Sequence, residues 1–365
     1  MFILAHARGR DWSGVTEDCL SQIREQEVAA SLGFVFVTDH LTPHFTDIVA
    51  ALQSQTGVSS WSGTVGIGIC ATGAEYVDEP AMVVLLADLP RDSFYLFDSL
   101  EAIADPQTQL NGTDINTAIV YASPENQQLH QQVTQLAAIT DTGFVVGGVD
   151  SSRSGAILYP ATLGETGIAG VAFSSEVSLV SRLSQGCTPI GEPHRVTACD
   201  HNIVRTLDHK PALQVMQEEM GELLSRDIAR ASSQIFAGLP VSGSDTGEYM
   251  VRNLMGIDQE NGLIAVGDMM AEGQSFMFCR RDAASARIDL ERMVTELRDS
   301  LDAPARGGLY FTCLGRGESL FGRRNEEMTI IRDILGDIPL AGFFANGEIS
   351  HNRLYGYTGV LSLFV

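Results

Sequence analysis

The chain has 365 residues, 44% of them hydrophobic and 19% charged, with a mean hydropathy of +0.07. That is too apolar for a disordered segment, too polar for a bundle of membrane spans, and long enough for about two domains of roughly 150 residues. The 46 acids against 23 bases leave a formal charge of −23, which repels phosphate backbones and anionic lipid head groups and so excludes nucleic acid and membrane surfaces as partners.

The N-terminus reaches Arg8 and Arg10 after only a few apolar residues, too short a run for a signal peptide. The longest apolar run, Ala81 to Ala87, falls far below the roughly 20 residues of a membrane helix. Six cysteines (Cys19, Cys70, Cys187, Cys199, Cys279, Cys313) are scattered without a Cys-x-x-Cys pair. That pattern favours a reducing compartment over a disulfide scaffold or zinc ribbon, so the expected location is cytoplasmic.

Three blocks then share one order. The first runs from the strand Phe34–Thr38 through a helix with Phe45, Ile48, Val49 and Leu52 to the glycine-broken Val65–Ile69 and the apolar Met82–Leu86. The spacing i, i+3, i+4, i+7 puts those four helix residues on one face. The second runs Ala118–Ala122, a helix with Leu129, Val133, Leu136 and Ala137, then Phe144–Val149 and Ile168–Phe173. The third runs Leu309–Thr312, a helix with Ile330, Ile331, Ile334 and Leu335, then Leu340–Phe344 and Thr358–Phe364. Thr38 precedes Gly68 by the same distance as Thr312 precedes Gly342, which favours a duplicated unit.

Between the second and third blocks, Cys187–Pro193 reads as a turn and Val196–Thr206 as a hairpin. A helix follows with Leu213, Met216, Met220, Leu223 and Leu224, then a loop over Gly238–Gly247. Short strands at Tyr249–Leu254, Leu263–Val266 and Phe276–Cys279 lead to a helix through Leu290, Val294, Leu297 and Leu301. The expected class is α/β, mixed sheets covered by amphipathic helices in repeated strand–helix–glycine strand–strand units, with domains 1–206 and 207–365.

Catalytic templates fail along this chain. Lys210 is the only lysine and ends no glycine-rich loop, which removes Walker-type nucleotide binding. Gly243-Ser244-Asp245-Thr246-Gly247 has the wrong offset for a nucleophile elbow, and Leu320 stands where a dinucleotide fingerprint opening at Gly315 needs its third glycine. His40 and His44 are spaced i, i+4, but Pro43 between them takes one off the helical face. What remains is glycine in strand interiors, which implies bends or close backbone approach. Gly66 and Gly68 lead to Glu75 and Tyr76, and Gly342 and Gly347 lead to Glu348. The repeat predicts that the two carboxylates stand at equivalent strand ends, suited either to a cationic ligand group or to local turn amides.

The strings that carry these features resemble the FIST sensory proteins. They are Leu32–His40; Thr56-Gly57 followed by Trp61-Ser62-Gly63-Thr64-Val65-Gly66-Ile67-Gly68; Glu75-Tyr76; Ser184–Gly191; Cys313–Gly317; and Pro339–Ile349, which contains Asn346, Gly347 and Glu348. The resemblance implies a non-enzymatic cytoplasmic sensor of a small ligand, an amino acid or a derivative. Its output would pass to a separate signalling protein such as a histidine kinase, chemoreceptor or diguanylate cyclase, in a form without a fused transmitter. The candidate ligand residues are Trp61, Gly66, Gly68, Glu75, Tyr76, Cys187, Arg316, Asn346 and Glu348. Arg316, in a glycine-flanked turn with exposed amides, is expected to hold a ligand carboxylate through its planar fork. Glu348 or Glu75 would meet an ammonium group, and Trp61 or Tyr76 would form an apolar wall. No cofactor or metal is expected. Some relatives resemble haem-holding nitric-oxide sensors, which makes His194, His201 and His209 candidate axial ligands in an alternative reading. A second alternative is an enzyme with Cys187 or Cys313 as nucleophile, which needs a histidine base nearby.

Overall fold

The computed structural model describes residues 1–26, 29–104, 114–161, 167–225, 235–241 and 248–365. In chain order the elements begin β1 (Phe2–Arg8), α1 (Trp12–Arg24), β2 (Leu32–Thr38), a 3₁₀ turn at Asp39–His44, α2 (Phe45–Thr56), β3 (Ser60–Gly66), β4 (Gly68–Ala71), β5 (Ala74–Val77) and β6 (Ala81–Ala87). They continue β7 (Phe94–Phe97), α3 (Leu100–Ala104), β8 (Thr117–Ala122), α4 (Leu129–Ile139), β9 (Phe144–Val149), β10 (Leu158–Tyr159), β11 (Ile168–Phe173) and β12 (Leu179–Gln185). The middle of the chain forms β13 (Cys187–Asp200), β14 (Ile203–Leu207), β15 (Lys210–Pro211), α5 (Ala212–Ser225), β16 (Ile235–Pro240), β17 (Tyr249–Asp258), β18 (Leu263–Val266) and β19 (Ser275–Arg281). The last part is α6 (Ala283–Asp299), β20 (Gly307–Cys313), α7 (Glu318–Phe321), α8 (Glu326–Leu335), β21 (Leu340–Ala345), β22 (Glu348–Ser350), β23 (Arg353–Tyr355) and β24 (Thr358–Phe364). The class is α/β, and no helix among the described residues is long and apolar enough to cross a membrane.

Two compact units emerge, Met1–Ser184 with Arg287–Val365, and Gln185–Ala286. The second is an insertion in the first.

In the first unit three sheets carry the same pairing. β2 lies parallel to β3 and antiparallel to β6, β8 parallel to β9 and antiparallel to β11, and β20 parallel to β21 and antiparallel to β24. Beyond each parallel edge strand the chain crosses to a neighbouring sheet. β4 pairs with β21, β22 pairs with β9, and β10 pairs with β3. Each sheet therefore lends its tail to another and receives one in return. This exchange covers the parallel edges that an open sheet would leave unpaired.

Strand alternation sorts side chains into two layers. Phe34, Phe36, Val83 and Leu85 meet Ile119, Tyr121, Phe311 and Phe343 in a core enclosed by all three sheets. Phe36, Tyr121 and Phe343, one from each sheet, have ring centroids 5.5–6.2 Å apart. The alternate residues Val35, Val37, Met82 and Val84 pack outward against Val15 and Cys19 of α1 and Phe45, Ile48, Val49 and Leu52 of α2. Such strands are apolar on both faces because both faces are covered.

The spaced glycines have a specific cause. A Cβ on Gly63, Gly147 or Gly342 would stand 1.7–1.9 Å from the backbone oxygen of Val35, Val120 or Tyr310, the residue paired with it on the parallel strand. Gly63 is thus the counterpart of Gly342. Gly68 lies past the crossing and pairs with Val77. The matched Thr38–Gly68 and Thr312–Gly342 spacing is therefore not a structural correspondence, because Thr38 pairs with Gly66 and Thr312 with Phe344. Nor are Glu75 and Glu348 equivalent: Glu348 opens the first strand of its hairpin, whereas Glu75 sits in the second strand of the β4–β5 hairpin.

In the second unit β13, β19, β16, β17, β18 and β14 pair in that order, and β14 pairs back to β13 to close a ring. Phe276, Phe278, Val196, Val204 and Ile264 form its core with Leu213, Val215, Met216 and Met220 of α5. Cys187–Pro193 is strand, not turn, because β13 absorbs Gly191–Pro193 as an irregularity between Ile190, opposite Phe278, and His194, opposite Phe276. Of the expected loop over Gly238–Gly247, Gly238 to Pro240 lie in β16, and residues 242–247, with the near-miss elbow, lie outside the described residues.

Candidate functional site

The best-built polar cluster lies where β20 runs out. Tyr310 and Thr312, two apart on the strand, point to the same side, toward the start of α8. There Glu327 occupies a position on the apolar face with Ile330, Ile331 and Ile334, at i, i+3, i+4 and i+7, and is drawn into the protein with them. Tyr310 Oη donates to Glu327 Oε1 at 2.5 Å, Thr312 Oγ1 lies 3.1–3.2 Å from both carboxylate oxygens, and the Gly317 amide donates to Oε2 at 3.3 Å.

Arg316 completes the set. The Cys313–Arg316 turn closes through Arg316 N to Cys313 O at 2.8 Å, and Gly317 (φ +57°) leaves no room for a Cβ, which would meet the Phe344 ring at 2.7 Å. That turn directs the guanidinium inward, where the residue is only 1% exposed. Nε donates to Glu327 Oε1 at 2.6 Å, Nη2 to Ser184 Oγ at 3.4 Å, and the group lies over the Phe321 ring at 5.4 Å. Burial opposes its charge, but Glu327 and Tyr310 hold it protonated. Nη1 is buried without a hydrogen-bond partner. The turn amides are not exposed as the sequence reading expected: Gly317 N serves Glu327, and Gly315 N lies 3.4 Å from Cys313 Sγ.

Glu348 opens β22 opposite Gly148 of β9 and Tyr355 of β23. Its Oε2 accepts from the Thr358 amide at 3.0 Å and the Thr358 hydroxyl at 2.7 Å, while Oε1 is buried with no hydrogen-bond partner. Burial pushes its carboxyl up to about 8, against the opposing pull of Thr358, Arg316 and Cys313. Cys313 lies between these two groups electrically. Burial first, and then Glu348, push its thiol well above the usual range, so it is no thiolate at neutral pH.

Glu75 is a second acid near Glu327. Its Oε1 accepts from Met328 N at 3.2 Å while its own amide donates to Asn325 Oδ1 at 2.7 Å, so it caps α8 from another strand. Burial and the neighbouring Glu327 push its carboxyl up to about 7. It also lines a cleft of about 200 Å³ with Val77, Asp78, Glu79, Glu318 and Arg324.

The remaining candidates each have surroundings of their own. Trp61 is fully buried beneath α1 and α2, its Nε1 donating to Val58 O at 2.8 Å, so it walls the outer core and not the Arg316 cluster. Tyr76 Oη lies 2.6 Å from His6 Nδ1. Gly66 and Gly68 flank the crossing from β3 to β4, where a Cβ would meet Gly68 O or the Phe344 ring. Asn346 is exposed. Cys187 is buried in the second unit, its carbonyl accepting from Tyr249 Oη at 2.5 Å. Of the histidines, His194 faces Asp208 and Glu219 at 2.7 and 3.3 Å, His201 lies in an exposed turn beside Asp200, and His209 is exposed in the turn before β15. Among the described residues no cluster of three or more His, Cys, Asp or Glu is arranged to hold a metal. Glu327, Tyr310, Thr312, Ser184 and Thr358 were not anticipated, although an acid on an apolar helix face is a readable signal for the first.

Comparison with known proteins covers nearly all of these residues. A FIST N domain model matches residues 31–210 and a FIST C domain model matches residues 212–351. An uncharacterized protein of Mycobacterium tuberculosis is 33% identical over 342 residues, 89% of this chain and 88% of that protein. An uncharacterized protein of Mycobacterium bovis is 31% identical over 352 residues, 92% of this chain and 91% of that protein. The chain belongs to the FIST family, whose domains are generally sensor domains of signal transduction.

Proposed function

We propose that this protein is a non-enzymatic cytoplasmic sensor that binds a small carboxylate-bearing ligand, amino acids and their derivatives among them, at Arg316, and passes the signal to a separate signalling protein. One observation carries the reading: Arg316 is held by Glu327 through Nε, yet Nη1 is buried with nothing to accept its hydrogens. A buried unsatisfied donor on a charged group is destabilising by about 1–3 kcal/mol or more, and a ligand oxygen relieves it. Glu327 on Nε and Ser184 on Nη2 fix the guanidinium before any ligand arrives, the preorganisation that binding requires, and leave Nη1 to the ligand. The suppressed Cys313 thiol argues against a cysteine nucleophile there.

Calorimetry with acetate, glycine, alanine and glutamate on the full chain and on Arg316→Lys tests this. Lysine keeps a charge for Glu327 but lacks the fork. Carboxylates should bind the wild type and lose about tenfold or more in the variant, the size of one charge-assisted hydrogen bond. Equal affinity in both proteins, or no binding to the wild type, overturns the proposal.

A further inference from the structure

We infer that Glu348 acts as a hydrogen-bond donor in this site, so that Arg316 Nη1 and Glu348 Oε1 together receive one oxygen of a small carboxylate and the ligand needs no ammonium group. The inference rests on the reading above and specifies its ligand class; it gives Glu348 the opposite part to that of the ammonium acceptor expected at Glu348 or Glu75.

The geometry separates the two oxygens of Glu348. Oε2 takes both Thr358 donors, which makes it the accepting oxygen, while Oε1 has no partner in a residue that is fully buried. An ionised Glu348 would be a buried charge that the Thr358 donors, Arg316 and the Cys313 thiol offset only in part, with Oε1 itself left unpaired. A protonated Oε1 needs only an acceptor, and Arg316 Nη1 needs the same. Charge balance agrees. Arg316 is already matched by Glu327 at 2.6 Å, so an ionised Glu348 would make two acids against one base and repel any carboxylate. The groups facing Glu348 are Thr358 of β24, Cys313 at the end of β20, and Arg316 in the turn that follows, with Glu327 and then Glu75 beyond the guanidinium. Gly148 and Tyr355, at its register positions on β9 and β23, bring no charge. Burial outweighs the three groups that favour ionisation, and the carboxyl titrates near 8.

The test uses acetate, glycine and methylamine with the wild type and Glu348→Gln, at about pH 6.5 and about pH 9, on either side of that titration. Glutamine keeps an oxygen for Thr358 and presents N–H donors at every pH. Acetate and glycine should bind the wild type at the lower pH and methylamine should not, with acetate affinity falling roughly tenfold at the higher pH, as expected for one coupled proton. Glu348→Gln should keep acetate binding and lose its pH dependence. Methylamine binding, or glycine binding without acetate that disappears in Glu348→Gln, makes Glu348 an ammonium acceptor and overturns the inference while leaving the Arg316 reading intact. If no carboxylate binds the wild type at either pH, both fall together. A carbon-13 signal assigned to Glu348 by its loss in Glu348→Gln gives a readout without ligand: it should titrate above neutrality, and titration in the ordinary carboxylate range overturns the inference by itself.

Discussion

Glu348 and the Arg316–Glu327 pair set opposite expectations for stability. A carboxyl raised from its unfolded 4.5 to about 8 makes the folded state bind a proton that the unfolded state has released, so stability falls as pH rises through that window. Asp150, raised by burial to about 6, acts in the same direction and has largely finished by neutrality, whereas Glu75, raised to about 7, is half-way through its titration there. Between about pH 7 and 8 Glu348 carries most of the remaining change and Glu75 the rest, and thermal melts of the wild type should lose up to about 1.4 kcal/mol there. Glu348→Gln should lose most of that pH dependence and keep only the smaller part that Glu75 contributes; parallel pH curves for the two proteins would show that Glu348 is already ionised when folded. The ion pair responds to mutation in another way. Glu327→Ala leaves Arg316 charged and alone in the interior, a loss of about 3–5 kcal/mol in urea titrations, whereas Glu327→Leu combined with Arg316→Met should be more stable than either single variant. A double variant no better than the worse single one would mean that the surrounding Tyr310 and Thr312 hydroxyls, not the charge, set the cost.

At the level of elements, the sequence was readable where one rule dominates. Helices α2 and α4 showed their apolar faces by spacing, and β2, β8 and β20 showed as β-branched and aromatic runs because each is buried on both faces. Local signals failed where the partner is distant. The seven-residue β1 is held by β6 far along the chain, and Pro189 and Pro193 in β13 read as a turn because nothing nearby reveals the partner strand β19 or the irregularity that accommodates Pro193. The site divides in the same way: Arg316 and Glu348 stood out among glycines, but Ser184 and Thr358 reach them only through the fold. Strand glycines were read as bends or places of close approach, and at Gly63 and Gly342 the paired backbone oxygen makes the second quantitative. Gly342→Ala places a methyl 1.7 Å from Tyr310 O, so β20 and β21 must separate, at a cost of about 3 kcal/mol or more. Gly167→Ala meets nothing within 4 Å and should stay within about 0.5 kcal/mol of the wild type. Similar denaturation midpoints for the two variants would show that the parallel pair yields without penalty.

At the scale of the whole molecule, the family models and the compact units divide the chain differently, and the difference has a physical meaning. The models meet near residues 210–212, just before α5, whereas contacts gather Gln185–Ala286 into a unit of its own. A cut at 206/207 passes through β14, parts β13 from β19, and takes Phe311, Phe343 and Phe364 away from the core they share with Phe34 and Phe36. Each half would then expose apolar surface and unpaired strand edges that nothing in the same half can cover. Fragment 185–286, by contrast, keeps all six strands of the closed ring together with α5 and a core of its own. A ring without free edges and with an internal core meets the requirements for folding independently. Expressed alone, fragment 185–286 should give a cooperative thermal transition and dispersed amide resonances, while fragments 1–206 and 207–365 should be insoluble or lack such a transition. A cooperative fold in 1–206 would mean that β1–β11 can close their core without β20, β21 and β24, and that the strand exchange among the three sheets is dispensable to the unit it joins.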